Sequence, residues 1–387
     1  MVKRFYLPIR IHFGPQATEV IPSLLAGFGK RVFIITDPGV RSAGPVDKVA
    51  SILSNAGLET EIFDEVRANP HQDTVYKALD ALKGAGCSCV VGIGGGSALD
   101  VGKVVAALAT NPGSLSEYQW DGRQFEHDPL PYVAVPTTAG TGSEVTRAAV
   151  IIDRNMKKGI AQDKLFPWAA VVDPDLMRSV PPFVTATTGM DVLSHAVEAY
   201  VGLGASPVTD GWAFEAIRLV GKYLLRAYAN GDDMTAREGM ALASTLAGAA
   251  MDQGGLGVVH AMAGPLSSIY DMPHGLANAI LLPIAMRYNL IAAPERYADV
   301  ALALGIPVTG MSAREAGLCA VRAVEDLVAQ MGISVNWQTY GYRPEDAERF
   351  ADEAMKMFMI KNNPRKMSRQ DCVVLFRALF EGREDLF

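Results

Sequence analysis

The sequence predicts two domains of different class: an α/β domain with a parallel sheet over residues 1–180 and an all-helical domain over residues 181–387. Three observations predict it. Short β-branched runs alternate with helical stretches in the first half. One of those runs, continuous and apolar, leads straight into three glycines. After Val180-Pro181-Pro182 the β-branched runs give way to long segments rich in Ala, Leu, Met and Glu, with apolar positions at helical spacing.

The elements follow in order. Arg31–Thr36 is a β-branched strand that stops at Asp37-Pro38-Gly39, a strong turn signal. A helix over Val46–Asn55, a strand over Glu59–Phe63 and a helix over Asp73–Lys83 lead into Ser88–Ile93. Such continuous apolar strands separated by helices belong to a parallel sheet covered on both faces. Tyr132–Val135 is the next strand, and Val150–Ile152 and Ala169–Val172 are candidate edges. Beyond the break, Phe183–Tyr200, Pro207–Ala229, Met234–Met251 and Ser312–Met331 read as helices.

With 387 residues, 49% hydrophobic and 20% charged, the chain has what two domains need to bury their cores, and disorder is excluded as its main state. Its 35 basic and 42 acidic residues give a net charge of −7, so no bulk attraction to nucleic acid or an anionic membrane is expected. Four scattered cysteines read as reduced thiols rather than a disulfide framework. The opening MVKRFYLPIRIHFG lacks an apolar signal region, and no segment approaches the roughly 18 apolar residues of a membrane span. A soluble, cytoplasmic protein without nucleic-acid or membrane partners is expected.

Gly94-Gly95-Gly96-Ser97 sits between a buried strand and a helix expected to begin near Ala98 and run to Leu108. Glycines let a phosphate approach the backbone amides, and the helix N-terminus favours an anion. The pattern is neither G-x-G-x-x-G nor a Walker A loop, and a tight turn also calls for glycine. Its place at the carboxyl end of a parallel strand favours phosphate binding. A second polar cluster, Pro136-Thr137-Thr138-Ala139-Gly140-Thr141-Gly142-Ser143-Glu144, follows the next strand and suits a ribose or phosphate. A hydroxyl-capped turn fits that spacing as well. Asp37 is placed to accept bonds from a ribose 2′-hydroxyl, or to open an Asp-Pro-Gly turn, and the spacing leaves both open.

Six histidines occur, and three lie in the apolar second half, at 195, 260 and 274. Asp191 and His195 are four apart in a helical stretch, so carboxylate and imidazole share one face and form a metal half-site. With His260 and His274 the set becomes one acid and three imidazoles, which suits Fe²⁺ or Zn²⁺ with open positions. Glu198 stands one turn further along as a supporting or solvated residue.

These stretches carry a resemblance. GGGSALDVGK at 94–103, PTTAGTGSEVT at 136–146, the Asp191–His195 pair and the His260–His274 spacing resemble the iron-containing (group III) alcohol dehydrogenases. The 1,3-propanediol dehydrogenase branch is especially similar, in ATTGMD, HAVEAY, YDMPHGLANAILLP and the late NNPRK. The resemblance implies a Rossmann-like dinucleotide-binding domain followed by a helical metal- and substrate-binding domain, the dehydroquinate synthase-like fold. It implies NAD as cofactor and Fe²⁺ (or Zn²⁺) held by Asp191, His195, His260 and His274, a Lewis acid toward a small primary alcohol or aldehyde. By the same matching, Gly95, Gly96 and Ser97 bind the pyrophosphate, Thr137, Thr138 and Thr141 line the cofactor, Lys158 and Leu176 approach the ribose and nicotinamide, and Asp37 favours NAD over NADP. A homo-oligomer, dimer or larger, is also implied.

This chain departs from the family pattern. Relatives carry a second histidine four residues after the third ligand, near the reacting alcohol; Gly264 stands here. They also read close to Phe-x-Asn-Ala-x-Leu-Gly where this chain has Met251-Asp252-Gln253-Gly254-Gly255-Leu256-Gly257. Losing a ring and an imidazole predicts a widened pocket, a substrate other than plain 1,3-propanediol and a proton route through a cofactor hydroxyl and water. Arg147 is a candidate for an acidic head group, with a salt bridge as the simpler reading. The rival activity is a sugar-phosphate cyclase-type lyase of the same superfamily. Such an enzyme needs Lys and Arg around its metal, and the segments 191–195 and 255–275 hold none.

Overall fold

The computed structural model describes residues 4–154, 156–343 and 345–382. They divide into two compact units, Tyr6–Val180 and one that starts at Pro181. The first contains eight strands: β1 (Arg10–Phe13), β2 (Arg31–Ile35), β3 (Glu59–Phe63), β4 (Cys89–Gly94), β5 (Tyr132–Pro136), β6 (Ala148–Asp153), β7 (Met156–Ala161) and β8 (Ala169–Val172). Its α-helices are α1 (Ile21–Leu25), α2 (Pro38–Ala43), α3 (Pro45–Asn55), α4 (Gln72–Ala85), α5 (Gly96–Leu108) and α6 (Leu115–Trp120).

Six of these strands form one parallel sheet in the order β1-β8-β5-β4-β2-β3. Successive side chains of a strand point to opposite faces, and both faces are buried. Phe33, Ile35 and Val90 join one core cluster, while Val32, Ile34, Val91 and Ile93 join the other. That is why these strands read as unbroken apolar runs. In the centre, Ile93 lies opposite Val135 and Gly94 opposite Pro136. This register ends β4 and β5 at the same level, so the glycine loop and the threonine-rich loop leave the sheet side by side.

Two strand expectations need correction. Ala169–Val172 is interior, between β1 and β5, and Val150–Ile152 lies outside the sheet in an antiparallel hairpin of β6 with β7. Residues 150–152 alternate between half-buried and buried, as a strand with one covered face does. The edges are β3 and β1, and β1 is the alternating Arg10–Phe13, which pairs with β8.

The second unit is helical: α7 (Pro182–Val201), α8 (Pro207–Ala229), α9 (Met234–Gly254), α10 (Val258–Ile269), α11 (His274–Asn289), α12 (Pro294–Ala303), α13 (Ala313–Gln330), α14 (Asp346–Ala354) and α15 (Arg369–Glu381). Helix α7 packs against α8, α9 and α11 and is buried almost throughout. A helix apolar on all sides belongs inside a bundle. The acids and the imidazole among its buried side chains, Asp191, His195 and Glu198, therefore need partners there. No helix among the described residues is long and apolar enough to cross a membrane.

Candidate metal centre and glycine loop

Asp191, His195 and Glu198 follow one another at four and three residues along α7, so they share a face. His260 stands in the first turn of α10, and His274 opens α11 directly after Pro273. Asp191 Oδ1 lies 3.5 Å from His195 Nε2, 3.7 Å from His260 Nε2 and 3.8 Å from His274 Nε2. All four donor atoms fall within 4.8 Å of one another. Donors that each stand about 2.1 Å from one ion are at most about 4.2 Å apart, a limit the three distances from Asp191 meet. The His195 and His260 rings stack with centroids 4.7 Å apart. Asp191, His195 and His260 are buried, whereas the His274 side chain is 33% exposed, so the centre is open on that side.

Burial pushes the Asp191 carboxyl up, but His195, His274 and His260 outweigh it and hold it far below the usual carboxylate range. Burial likewise lowers His260, but its hydrogen bonds to Asp191 and Glu198 prevail and raise it to about 9. Without an ion, Asp191 faces all three imidazoles and Glu198 adds a second buried carboxylate on His260. The donor chemistry, one oxygen and three nitrogens converging on a small volume, fits Fe²⁺ or Zn²⁺.

Two supports escaped the sequence reading in whole or part. Glu198 is not solvated: its Oε2 is 2.6 Å from His260 Nδ1, and its Oε1 accepts the Val259 amide at 2.7 Å. A carboxylate on Nδ1 keeps the proton there and turns Nε2 toward Asp191. Asn278, one turn after His274, donates its Nδ2 to Asp191 Oδ1 at 2.5 Å and lies 3.1 Å from Nε2 of both His260 and His274. Its i+4 relation to His274 was the available signal. NNPRK also acquires a role. Asn362 Nδ2 donates to Gly254 O and Leu256 O at 3.0 Å each, and Asn363 Oδ1 accepts from Val258 N at 3.4 Å. The pair fixes the turn that delivers His260.

In the α/β unit, α5 begins at Gly96 rather than near Ala98, with Gly95 as an N-cap whose first turn receives no side-chain hydrogen bond. Gly95, Gly96 and Ser97 are half-buried between fully buried neighbours. The first-turn amides, uncapped by any side chain, are a ready anion site. A Cβ on Gly96 would stand 2.7 Å from Thr141 Cγ2, and one on Gly95 would stand 3.4 Å from Thr138 Oγ1. Thr138 and Thr141 thus lie directly against the glycines, while Thr137 is buried, its amide bonded to Gly94 O at 3.0 Å.

Asp37 fills the turn role and stands beside the glycine loop. Its Oδ1 caps α2 by accepting from Val40 N at 2.9 Å, and its Oδ2 would be 3.3 Å from a Cβ on Gly94. The second half of GGGSALDVGK is an anchor. Asp100 accepts from Ser143 Oγ at 2.6 Å and Val150 N at 2.9 Å, and buried Lys103 donates to Thr146 Oγ1 at 3.1 Å and Ala148 O at 2.6 Å.

Three expected residues lie elsewhere than in these loops. Lys158 is on β7 with Nζ 4.0 Å from the Trp120 ring centroid. Leu176 is buried in the core just after β8. Arg147 forms the salt bridge, 3.0 Å from Asp163 Oδ1. The widened pocket is corrected at position 264: a Cβ on Gly264 would stand 2.7 Å from Met357 Cε, so a thioether fills that space.

Comparison with known proteins decides the family. The pattern described as iron-containing alcohol dehydrogenase matches residues 8–174, and its C-terminal counterpart matches residues 185–380. The chain belongs to the iron-containing alcohol dehydrogenase family. It is 43% identical to the 1,3-propanediol dehydrogenase of Klebsiella pneumoniae, covering 95% of this chain and 96% of that one. It is 38% identical to the NAD-dependent methanol dehydrogenase of Bacillus methanolicus, over 96% and 98% of the two chains. A solved 1,3-propanediol oxidoreductase superposes with a TM-score of 0.95 at 41% identity, covering 98% of this chain and all of that one. Membership across both units does not favour the lyase alternative.

Proposed function

We propose that this chain transfers a hydride between NAD(H) and a small primary alcohol or aldehyde, with Fe²⁺ held by Asp191, His195, His260 and His274. The observation that carries it is the convergence of one buried carboxylate and three imidazoles on one point in a member of this family. When bound, the ion supplies Lewis acidity toward the substrate oxygen and the nicotinamide gives or takes the hydride.

The chain's own residues do the rest. Asp191 supplies the negative charge that retains a cation, and Glu198 holds the proton on His260 Nδ1 so that Nε2 remains a donor. Asn278 steadies Asp191 through its amide. Gly95, Gly96 and Ser97 present α5 amides to the cofactor pyrophosphate, with Thr137, Thr138 and Thr141 beside them, and Asp37, Lys158 and Leu176 complete the cofactor set. Asp37 repels a 2′-phosphate and so favours NAD. A homo-oligomer in the cytoplasm belongs to the same reading, and four free cysteines suit a reducing compartment.

The test is NADH formation by anaerobically iron-loaded protein with short primary alcohols, and NADH oxidation with the aldehydes. A rate that disappears on chelation is expected. Bound metal and bound NADH with no rate in either direction would overturn the reading.

A further inference from the structure

We propose that Met357 determines substrate specificity, forming the apolar wall beside the metal centre and selecting alcohols with an unsubstituted alkyl tail over those with a second hydroxyl. The inference rests on the dehydrogenase reading and says which substrates that site takes.

Gly264 lies one turn after His260 on α10, so a side chain there would stand on the helix face that carries the ligand. The position is half-buried, and the atom waiting where a Cβ would go is the Met357 methyl, at 2.7 Å. Met357 is not held there by chance. It leads a short turn, Phe358–Asn362, whose far end is Asn362 and Asn363, the pair that clamps the start of α10. The segment therefore runs beside α10 from Val258 to Gly264, tied at one end by amide hydrogen bonds and resting at the other on a bare glycine. Its own backbone is secured by the Met357 amide on Ala354 O at 3.0 Å.

A thioether offers no strong donor or acceptor and bends to fill irregular space. Substrate atoms on this side of the reacting carbon consequently meet a surface that gains from a methylene and leaves a hydroxyl without a partner. An imidazole at 264 would do the reverse, but it could enter only if Met357 moved aside.

The test compares 1-propanol with 1,3-propanediol as substrates of the iron-loaded natural chain and of Met357→Leu, Met357→Gln and the double variant Gly264→His/Met357→Ala. The natural chain and Met357→Leu should share the preference for 1-propanol. Met357→Gln, similar in length but polar, should shift the ratio of kcat/KM toward the diol by about tenfold, chiefly through KM, the scale at which one group in a pocket discriminates. The double variant should shift it the same way. The metal-dependent rise in unfolding midpoint should be equal in the natural chain, Met357→Leu and Met357→Gln. A ratio that stays within twofold in active Met357→Gln and in the double variant overturns the proposal, as does a changed metal affinity in either single variant, which would put Met357 in the ion's support. A natural chain inactive on every alcohol, with metal and NADH bound, would instead overturn the dehydrogenase reading.

Discussion

The two units prepare their sites in opposite ways. In the helical unit the chemistry is carried by side chains: Asp191, His195, His260 and His274 come from three helices and meet in a buried space. In the α/β unit the candidate site is built of backbone: Gly95 and Gly96 offer amides and the absence of a Cβ, and the threonines pack where side chains would have been. Each design has a characteristic failure. A side-chain centre fails when one group is deleted, because the remaining buried charges lose their balance. A backbone site fails when one group is added.

Deletion in the helical unit should have the largest effect. Asp191→Ala removes the carboxylate that faces all three imidazoles, and metal content should fall with activity. The loss should exceed the roughly hundredfold scale already associated with losing a supporting partner of a ligand. Metal analysis beside NADH formation checks it; an iron-replete, active Asp191→Ala chain would dissolve the contrast between the units.

Glu198→Gln sharpens the contrast from within the same unit. The amide keeps the shape and a hydrogen bond to His260 Nδ1 but removes the charge, so metal affinity should drop by about tenfold to a hundredfold while NADH binding holds. Competition with a chromogenic chelator measures the first, and nucleotide fluorescence the second.

Addition in the α/β unit should come next. Gly96→Ala places a methyl 2.7 Å from Thr141 Cγ2, a contact only a shift of one loop can relieve. Overpacking of this kind costs about 1–3 kcal/mol. The Michaelis constant for NAD should therefore rise by roughly tenfold, with metal content unchanged. If metal content fell as well, the two sites would not be separable in the way their construction implies.

The same contrast explains what could be read from the chain alone. The cluster of one acid and three imidazoles was legible because side-chain chemistry is written in residue types, and i, i+4 spacing on a helix places two of its members without further information. Strands β2, β4 and β5 were legible because a sheet covered on both faces requires apolar runs. Position Ala169–Val172 between β1 and β5 was not, since the order of parallel strands is decided by crossovers and leaves no local mark. Asn278 and the Asn362–Asn363 clamp escaped because an amide reads alike at the surface and beneath a ligand. Their roles depend on which helix ends meet. Met357 escaped for the same reason: it lies 93 residues from Gly264, and only the fold shows that one fills what the other leaves.

Arg147 should give the smallest effect, and it tests the boundary of the comparison. It is the basic side chain just after the threonine-rich stretch and invites a substrate role, yet its Nη1 donates to Asp163 Oδ1 at 3.0 Å and its guanidinium lies 5.9 Å from the Phe166 ring centroid. Both partners of the salt bridge are partly exposed, at 27% and 40%. Water screens such pairs, which contribute about 0–1 kcal/mol. Arg147→Ala should therefore lower stability by no more than about 1 kcal/mol. It should also leave the ratio of kcat/KM for a carboxylate-bearing aldehyde over its neutral analogue unchanged. A selective loss on the acidic aldehyde would mean that a side chain of the α/β unit reads the substrate, and the division between a backbone site and a side-chain site would have to be redrawn at this residue.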